Sequence, residues 1–329
     1  MTAANNPNGL PSSLTDSYAG TFAGALKQSR HDLLHLSDLR RDFVEECFAA
    51  LDAGKMQSAV KRLSSFELYP QLVLHGLKVP DHDRRMLAAA WLALLGYIAI
   101  VDHELDKKGY LNGQSLIAAS ALLGWGVATF SRYTAGSPFA KVFLDNINRA
   151  FAGQYEDIRV RGDENSNRQS SDEEKCRGLV AAVAGFCTLA GLTDDRLIRS
   201  TEAILGTLQI LDDLQDVEED HDEGNLTIFV RIARECASAA ASSTRGEIYS
   251  AVIRDPRTTI TMRQVTEGID KALLILDGNR DHALIAFLSD LRDRNIALIR
   301  ELEDYQRNPA PIREPSIMSK IEEMYMQCE

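Results

Sequence analysis

The chain has 329 residues, of which 45% are hydrophobic and 26% charged, with a formal net charge of -12. This composition supports a large apolar core and excludes a globally disordered chain. The acidic excess argues against extended nucleic-acid binding, which needs a basic face, although a polyanion can still be held through intervening metal ions.

The elements are taken in chain order. Met1 to Ser17 is rich in Asn, Pro, Ser and Thr, without a basic start or an apolar stretch. It is expected to be a loose tail over residues 1–18, leaving 19–329 as a single all-helical domain. Apolar residues recur at helical spacing through most of the rest, and strand signals are scarce. Helices are predicted at about 20–36, 38–53, 55–75, 83–107, 113–130, 138–161, 172–190, 194–221, 227–239, 244–253, 260–278, 280–306 and 316–327. Breaks are expected at Tyr69-Pro70, Val79-Pro80, Gly136-Ser137-Pro138 and from Pro309 to Pro315. The polar stretch Gly162 to Glu174 is expected to be a loop, either an ordinary surface one or one able to close over a site. No repeat of fixed period is present.

The longest uncharged run, Met86 to Val101, has 16 residues. That is short of the ~20 needed to span a bilayer, so a buried central helix is expected instead of a membrane span. The cysteines are Cys47, Cys176, Cys187, Cys236 and Cys328, with no CxxC pair. They do not form a zinc pattern, and they fit a reduced, cytoplasmic protein.

Two acidic clusters end apolar helices. Asp102-His103-Glu104-Leu105-Asp106 follows the Met86–Val101 run. On a helical wheel Asp102 and Asp106 lie about 40° apart, and two carboxylates one turn apart repel unless a cation lies between them. An acidic helix end reaching water is the competing reading. The second cluster is Asp212-Asp213-Leu214-Gln215-Asp216, running on to Asp220. With Asp212 at zero, Asp216 falls near 40°, Gln209 near 60°, Asp220 near 80° and Asp213 at about 100°. The stack at i, i+4 and i+8 extends over roughly 12 Å, room for more than one ion. Hard oxygen ligands suit Mg²⁺ or Mn²⁺, and an EF-hand fails because no glycine falls at its sixth position. The clusters are about 110 residues apart. Two antiparallel helices could bring them to the mouth of one cavity, where Mg²⁺ would complete its shell with substrate phosphates.

The stretch from Lys175 to Asp216, with Gly153-Gln154-Tyr155-Glu156-Asp157 upstream, resembles the trans-isoprenyl diphosphate synthases. Their pattern there is Lys-Thr, a small-residue helix, a Gly turn and Phe-Gln-x-x-Asp-Asp-x-x-Asp, preceded by Gly-Gln-x-x-Asp. Asp102 and Asp106 match the first and fifth positions of their first aspartate-rich motif, and the agreement runs from about residue 85 to 227. The resemblance implies a class I isoprenoid synthase fold, a helical bundle with a central apolar cavity, and three Mg²⁺ ions on a diphosphate. It implies metal ligation by Asp102, Asp106, Asp212, Asp213 and Asp216, with Asp220 completing the i+8 position of a terpene synthase motif. Lys175, Gln154, Arg177 and Asn225 would face the diphosphate. Tyr97, Trp91, Phe186, Gln209 and His103 would line the pocket, Tyr97 at a position that limits chain length; for each of the aromatic residues simple core packing is the competing reading. A homodimer is a further expectation of the resemblance.

The sequence also departs from that pattern. His103 replaces an aspartate, the Gly-Gly-Lys-Arg-x-Arg-Pro acceptor segment is missing, and Gly224-Asn225-Leu226-Thr227 stands where elongating enzymes carry Gly-Lys. The leading expectation is therefore a terpene synthase that ionises and cyclises one isoprenyl diphosphate. A soluble prenyltransferase, acting on isopentenyl diphosphate or another acceptor, is the alternative. A His-Asp phosphohydrolase lacks its companion histidines, and a helical scaffold would not explain the two acid stacks.

Overall fold

Helices are the only regular structure among the described residues of the computed structural model, which are 65–106, 113–160, 173–236, 245–277, 282–309, 316–317 and 321. They comprise α1 (Ser65–Gly76), α2 (Asp81–Asp106), α3 (Gly113–Thr134), α4 (Ala140–Val160), α5 (Gly178–Leu189) and α6 (Arg196–Gln215). After these come α7 (Val217–Glu223), α8 (Ile228–Cys236), α9 (Arg245–Arg254), α10 (Pro256–Leu276) and α11 (His282–Arg307). The expected N-terminal tail, the helices at 20–36 and 38–53, and nearly all of the 162–174 loop lie outside the described residues.

One hydrophobic cluster runs from Tyr69 to Ile321. Its centre is formed by helices apolar on every side, which must be buried all round. In α2, Met86 to Trp91 are all buried, and in α5 every residue from Gly178 to Cys187 is. Around them α2 packs on α3, α4 on α5, and α6 on α10, which in turn packs on α11. No helix among the described residues is long and apolar enough to cross a membrane.

Three expectations about boundaries are corrected. Pro70 lies inside α1 and does not break it. Proline removes an intrahelical bond there, but burial of Tyr69, Leu72, Val73 and Leu74 holds the turn. The helix expected over 194–221 is divided at Asp216 (φ -95°, ψ 12°). The i to i−4 bonds nevertheless continue, Asp216 N to Asp212 O at 2.9 Å and Asp220 N to Asp216 O at 2.8 Å, so the register of the acids survives the bend. The helix expected from 260 begins at Pro256, because the Asp255 side chain caps it by accepting from Arg257 N at 2.8 Å.

Functional groups gather at one end of the bundle. Val101 near the end of α2, Gln154 near the end of α4 and Lys175 just before α5 line one cavity. Lys175 also acts electrostatically on Asp212 at the end of α6. Hence α2, α4 and α6 run toward this end and α5 runs away from it, so the two helices that carry the acidic clusters are parallel and not antiparallel as expected: each bears its acids at its C-terminal end, and only parallel helices bring two such ends together.

Candidate active site

The cavity spans about 490 Å³ of space free of protein atoms, the open solvent at its mouth included. Its wall is apolar: Trp91, Leu94, Tyr97, Ile98 and Val101 from α2, Leu123 from α3, and Ile147, Ala150 and Phe151 from α4. On α2 and α4 these positions recur at three- and four-residue steps, the spacing of one helix face. Tyr97 and Phe151 meet edge to face, ring centres 5.8 Å apart at 79°. Gln154 and Lys175 are the polar groups of the wall.

Next to Lys175 stands the second acidic cluster. Burial pushes the Asp212 carboxyl well above the usual range, and the negative charges of Asp216 and Asp213 push it further. Lys175 acts in the opposite direction. Burial likewise raises Asp220 to about 7, with Asp213 and Asp216 adding to the effect; Asn225 and Lys175 oppose it. Four carboxylates therefore share one field with one ammonium, an excess of negative charge that a divalent cation would relieve. Asp212 keeps part of its surface accessible although protein surrounds it. Among the described residues no three His, Cys, Asp or Glu side chains converge tightly enough to hold an ion unaided. The donor set fits Mg²⁺ that takes the rest of its shell from water and phosphate.

Local chemistry explains the positions of the acids. The Gln209 amide donates to Asp213 Oδ1 at 2.7 Å and accepts from Cys176 Sγ at 3.2 Å, so Asp213 is tied to the helix interior. At the end of α7, Gly224 adopts φ 85°, a left-handed conformation natural to glycine, and turns the chain back. Asn225 N then reaches Asp220 O at 2.8 Å, and Asn225 Nδ2 donates to Asp220 Oδ1 at 3.2 Å. Thr227 caps α8, its hydroxyl accepting from Val230 N at 3.4 Å.

Of the residues singled out in the sequence, the structure brings together Tyr97, Trp91, Gln154, Lys175, Asp212, Asp213, Asp216 and Asp220. Asn225 adjoins them through Asp220 and Gln209 through Asp213. Asp102, His103 and Asp106 occupy the last turns of α2, directly after the cavity residue Val101; their side chains lie outside the described residues. Two assignments are corrected. Phe186 is not at the wall: it is fully buried behind it, 5.9 Å from the Phe130 ring, which stacks on Phe143 at 5.3 Å. Because α5 is enclosed on all sides, only its first residue, Gly178, reaches the cavity. Arg177 does not face the cavity either; its guanidinium pairs with Glu202 at 2.8 Å and lies 3.6 Å from Glu174. The sequence reading missed Phe151, Ile147 and Ala150, although their spacing ahead of Gln154 on an amphipathic helix was a usable signal.

The chain has the all-helical fold of the isoprenyl diphosphate synthases. It is similar to the geranylgeranyl pyrophosphate synthase of Lactobacillus brevis, with a TM-score of 0.62 and 16% identity over 88% of this chain and 100% of that one. The decaprenyl diphosphate synthase of Rhodobacter capsulatus gives a TM-score of 0.63 and 17% identity over 88% of this chain and 100% of the other. The geranylgeranyl pyrophosphate synthase of Corynebacterium glutamicum, solved with isoprenyl diphosphate and magnesium, gives 0.61 and 14% over 85% of this chain and 97% of that one. No family model matches the chain, and no curated protein matches its sequence.

Proposed function

We propose that this protein is a divalent-metal-dependent prenyltransferase that ionises an allylic isoprenyl diphosphate and transfers its prenyl group to isopentenyl diphosphate or another acceptor. One observation carries the reading: Lys175 belongs both to the wall of an apolar cavity and to the field of four aspartates. That is the junction a molecule with a greasy tail and a multiply charged anionic head requires. The prenyl-synthesising neighbours of the same fold add weight to transfer over cyclisation.

Asp212, Asp216 and Asp220 would hold metal on the α6–α7 side, with Asp213 behind them, and Asp102 and Asp106 on the α2 side. Mg²⁺, when bound, supplies Lewis-acid neutralisation of the departing diphosphate. Lys175 adds a fixed positive charge where that negative charge develops, and Gln154 offers an amide to the same oxygens. The allylic C–O bond breaks and its electron pair leaves with the diphosphate. Tyr97 and Phe151 present aromatic surface beside the resulting cation, and the apolar wall excludes the water that would quench it. With isopentenyl diphosphate, its double bond attacks the cation, a C–C bond forms and a proton is lost.

Cyclisation of a single substrate is the second reading, favoured by the missing acceptor segment and the i, i+4, i+8 spacing of Asp212, Asp216 and Asp220. Incubation of geranyl, farnesyl and geranylgeranyl diphosphates with Mg²⁺, alone and with isopentenyl diphosphate, separates the two. Prenyl transfer predicts longer diphosphates only when the second substrate is present. Hydrocarbon from one substrate supports cyclisation, and no diphosphate release with any acceptor defeats both.

A further inference from the structure

The five residues Glu173 to Arg177 lie between α4 and α6 and are tied to both. On α4, Arg149 binds Glu174 through two N–H···O bonds: Nε donates to Oε2 at 2.6 Å and Nη2 donates to Oε1. One turn later Gly153 has no side chain, and a Cβ there would lie 2.4 Å from Lys175 N and 2.6 Å from the Glu174 carbonyl carbon. On α6, Glu202 accepts from Arg177 Nη1 at 2.8 Å. One turn later comes Gly206, where a Cβ would lie 3.0 Å from Glu173 Oε1. The charges on the two helices have opposite sign and meet opposite partners, while backbone-to-backbone contact is made at Gly153 on α4; Gly206 faces the movable tip of the exposed Glu173 side chain. Cys176 adds a third tie to α6 through Gln209. Of the five residues only Lys175 lines the cavity.

We propose that Arg149, Gly153, Glu174 and Glu202 form a positioning clamp that fixes Lys175 at the boundary between the cavity and the aspartates. The inference rests on the diphosphate reading above. Backbone-to-backbone contact at Gly153 sets how close Lys175 comes to Gln154, and a Cβ there cannot be accommodated by a rotamer change. The paired guanidinium bonds fix the orientation of the turn, because a bidentate charge-assisted contact is directional and stronger than an isolated surface pair. Lys175 is thereby placed before substrate arrives, which lowers the cost of ordering a long flexible side chain on binding.

The test is a double-mutant cycle read by calorimetric binding of geranyl diphosphate with Mg²⁺, and of geraniol, which has the tail without the charge. Glu174→Gln is expected to weaken geranyl diphosphate about tenfold and leave geraniol unchanged. In a Lys175→Met background the same substitution is expected to add nothing, because it acts through the lysine. Gly153→Ala is expected to reproduce the loss with the helical signal intact. Additive effects of Glu174→Gln and Lys175→Met, or equal losses for diphosphate and alcohol, overturn the clamp while leaving the functional reading standing. A wild-type protein that does not bind geranyl diphosphate with Mg²⁺ overturns both.

Discussion

The mouth of the cavity and the core behind it follow opposite rules. Behind the wall, Phe130, Phe143 and Phe186 stack with no exposure and Gly185 lets the Phe130 ring approach, so each contact favours the folded chain. At the mouth, Asp212, Asp213, Asp216 and Asp220 are crowded and partly buried with one lysine among them, so their charges oppose folding. A chain keeps such a region where the strain is relieved by a ligand, and the rest of the fold must then hold it in place. On the proposed reading the core supplies rigidity, and the acidic cluster would supply affinity for the cation missing from its charge balance.

Four substitutions and one ligand condition sharpen this contrast, from the largest effect downward. Asp216→Ala and Asp102→Ala are each expected to lower turnover by about a hundredfold or more with unchanged circular dichroism, since both acids belong to the proposed metal clamp. Asp212→Asn is expected to remove activity while raising the unfolding midpoint in metal-free buffer; a lower midpoint would show that the mouth is not under electrostatic strain. Phe130→Ala is expected to cost about 3–5 kcal/mol in urea unfolding, because it empties the stack against Phe143 and Phe186. Mg²⁺ with an allylic diphosphate at a hundred times its dissociation constant is expected to stabilise the wild type by about 3 kcal/mol but not Asp216→Ala.

The smallest effect lies far from the site. The Arg257 guanidinium beside Asp255, then the Arg257 backbone N–H, holds the Asp255 carboxyl at about 2. Its folded value is below its unfolded one, so the stabilisation is present above the ordinary value of 3.8 and is lost as pH falls toward about 2. Asp255→Ala is accordingly expected to cost about 1 kcal/mol near neutrality and progressively less in acid.

The helical class, the buried run from Met86 and the register of Asp212, Asp216 and Asp220 were legible because each depends on local periodicity. The convergence of Gln154, Lys175 and the aspartates was legible only through the family pattern, since nothing in spacing alone joins residues on three separate helices. Phe186 and Arg177 were misplaced for a common reason. Sequence proximity to a motif does not reveal which face of α5 is enclosed, or that Glu202 on another helix waits for the guanidinium. The early start of α10 was written in Asp255-Pro256, a cap followed by a proline at the first helical position. The clamp around Lys175 has no one-dimensional signature, because a glycine spaced four residues from a charge becomes informative only once the facing backbone is known.

The central claim is that the acids at the ends of α2 and α6 meet across the cavity mouth and hold one diphosphate through divalent ions. A crystal structure with Mg²⁺ and the unreactive thio-analogue of geranyl diphosphate tests it most directly. The account predicts metal ions coordinated by Asp102 or Asp106 on one side and Asp212 or Asp216 on the other, the diphosphate between them within reach of Lys175, and the prenyl tail beside Tyr97. Asp106 and Asp216 on opposite sides of the molecule, or the analogue bound elsewhere without metal, would contradict it.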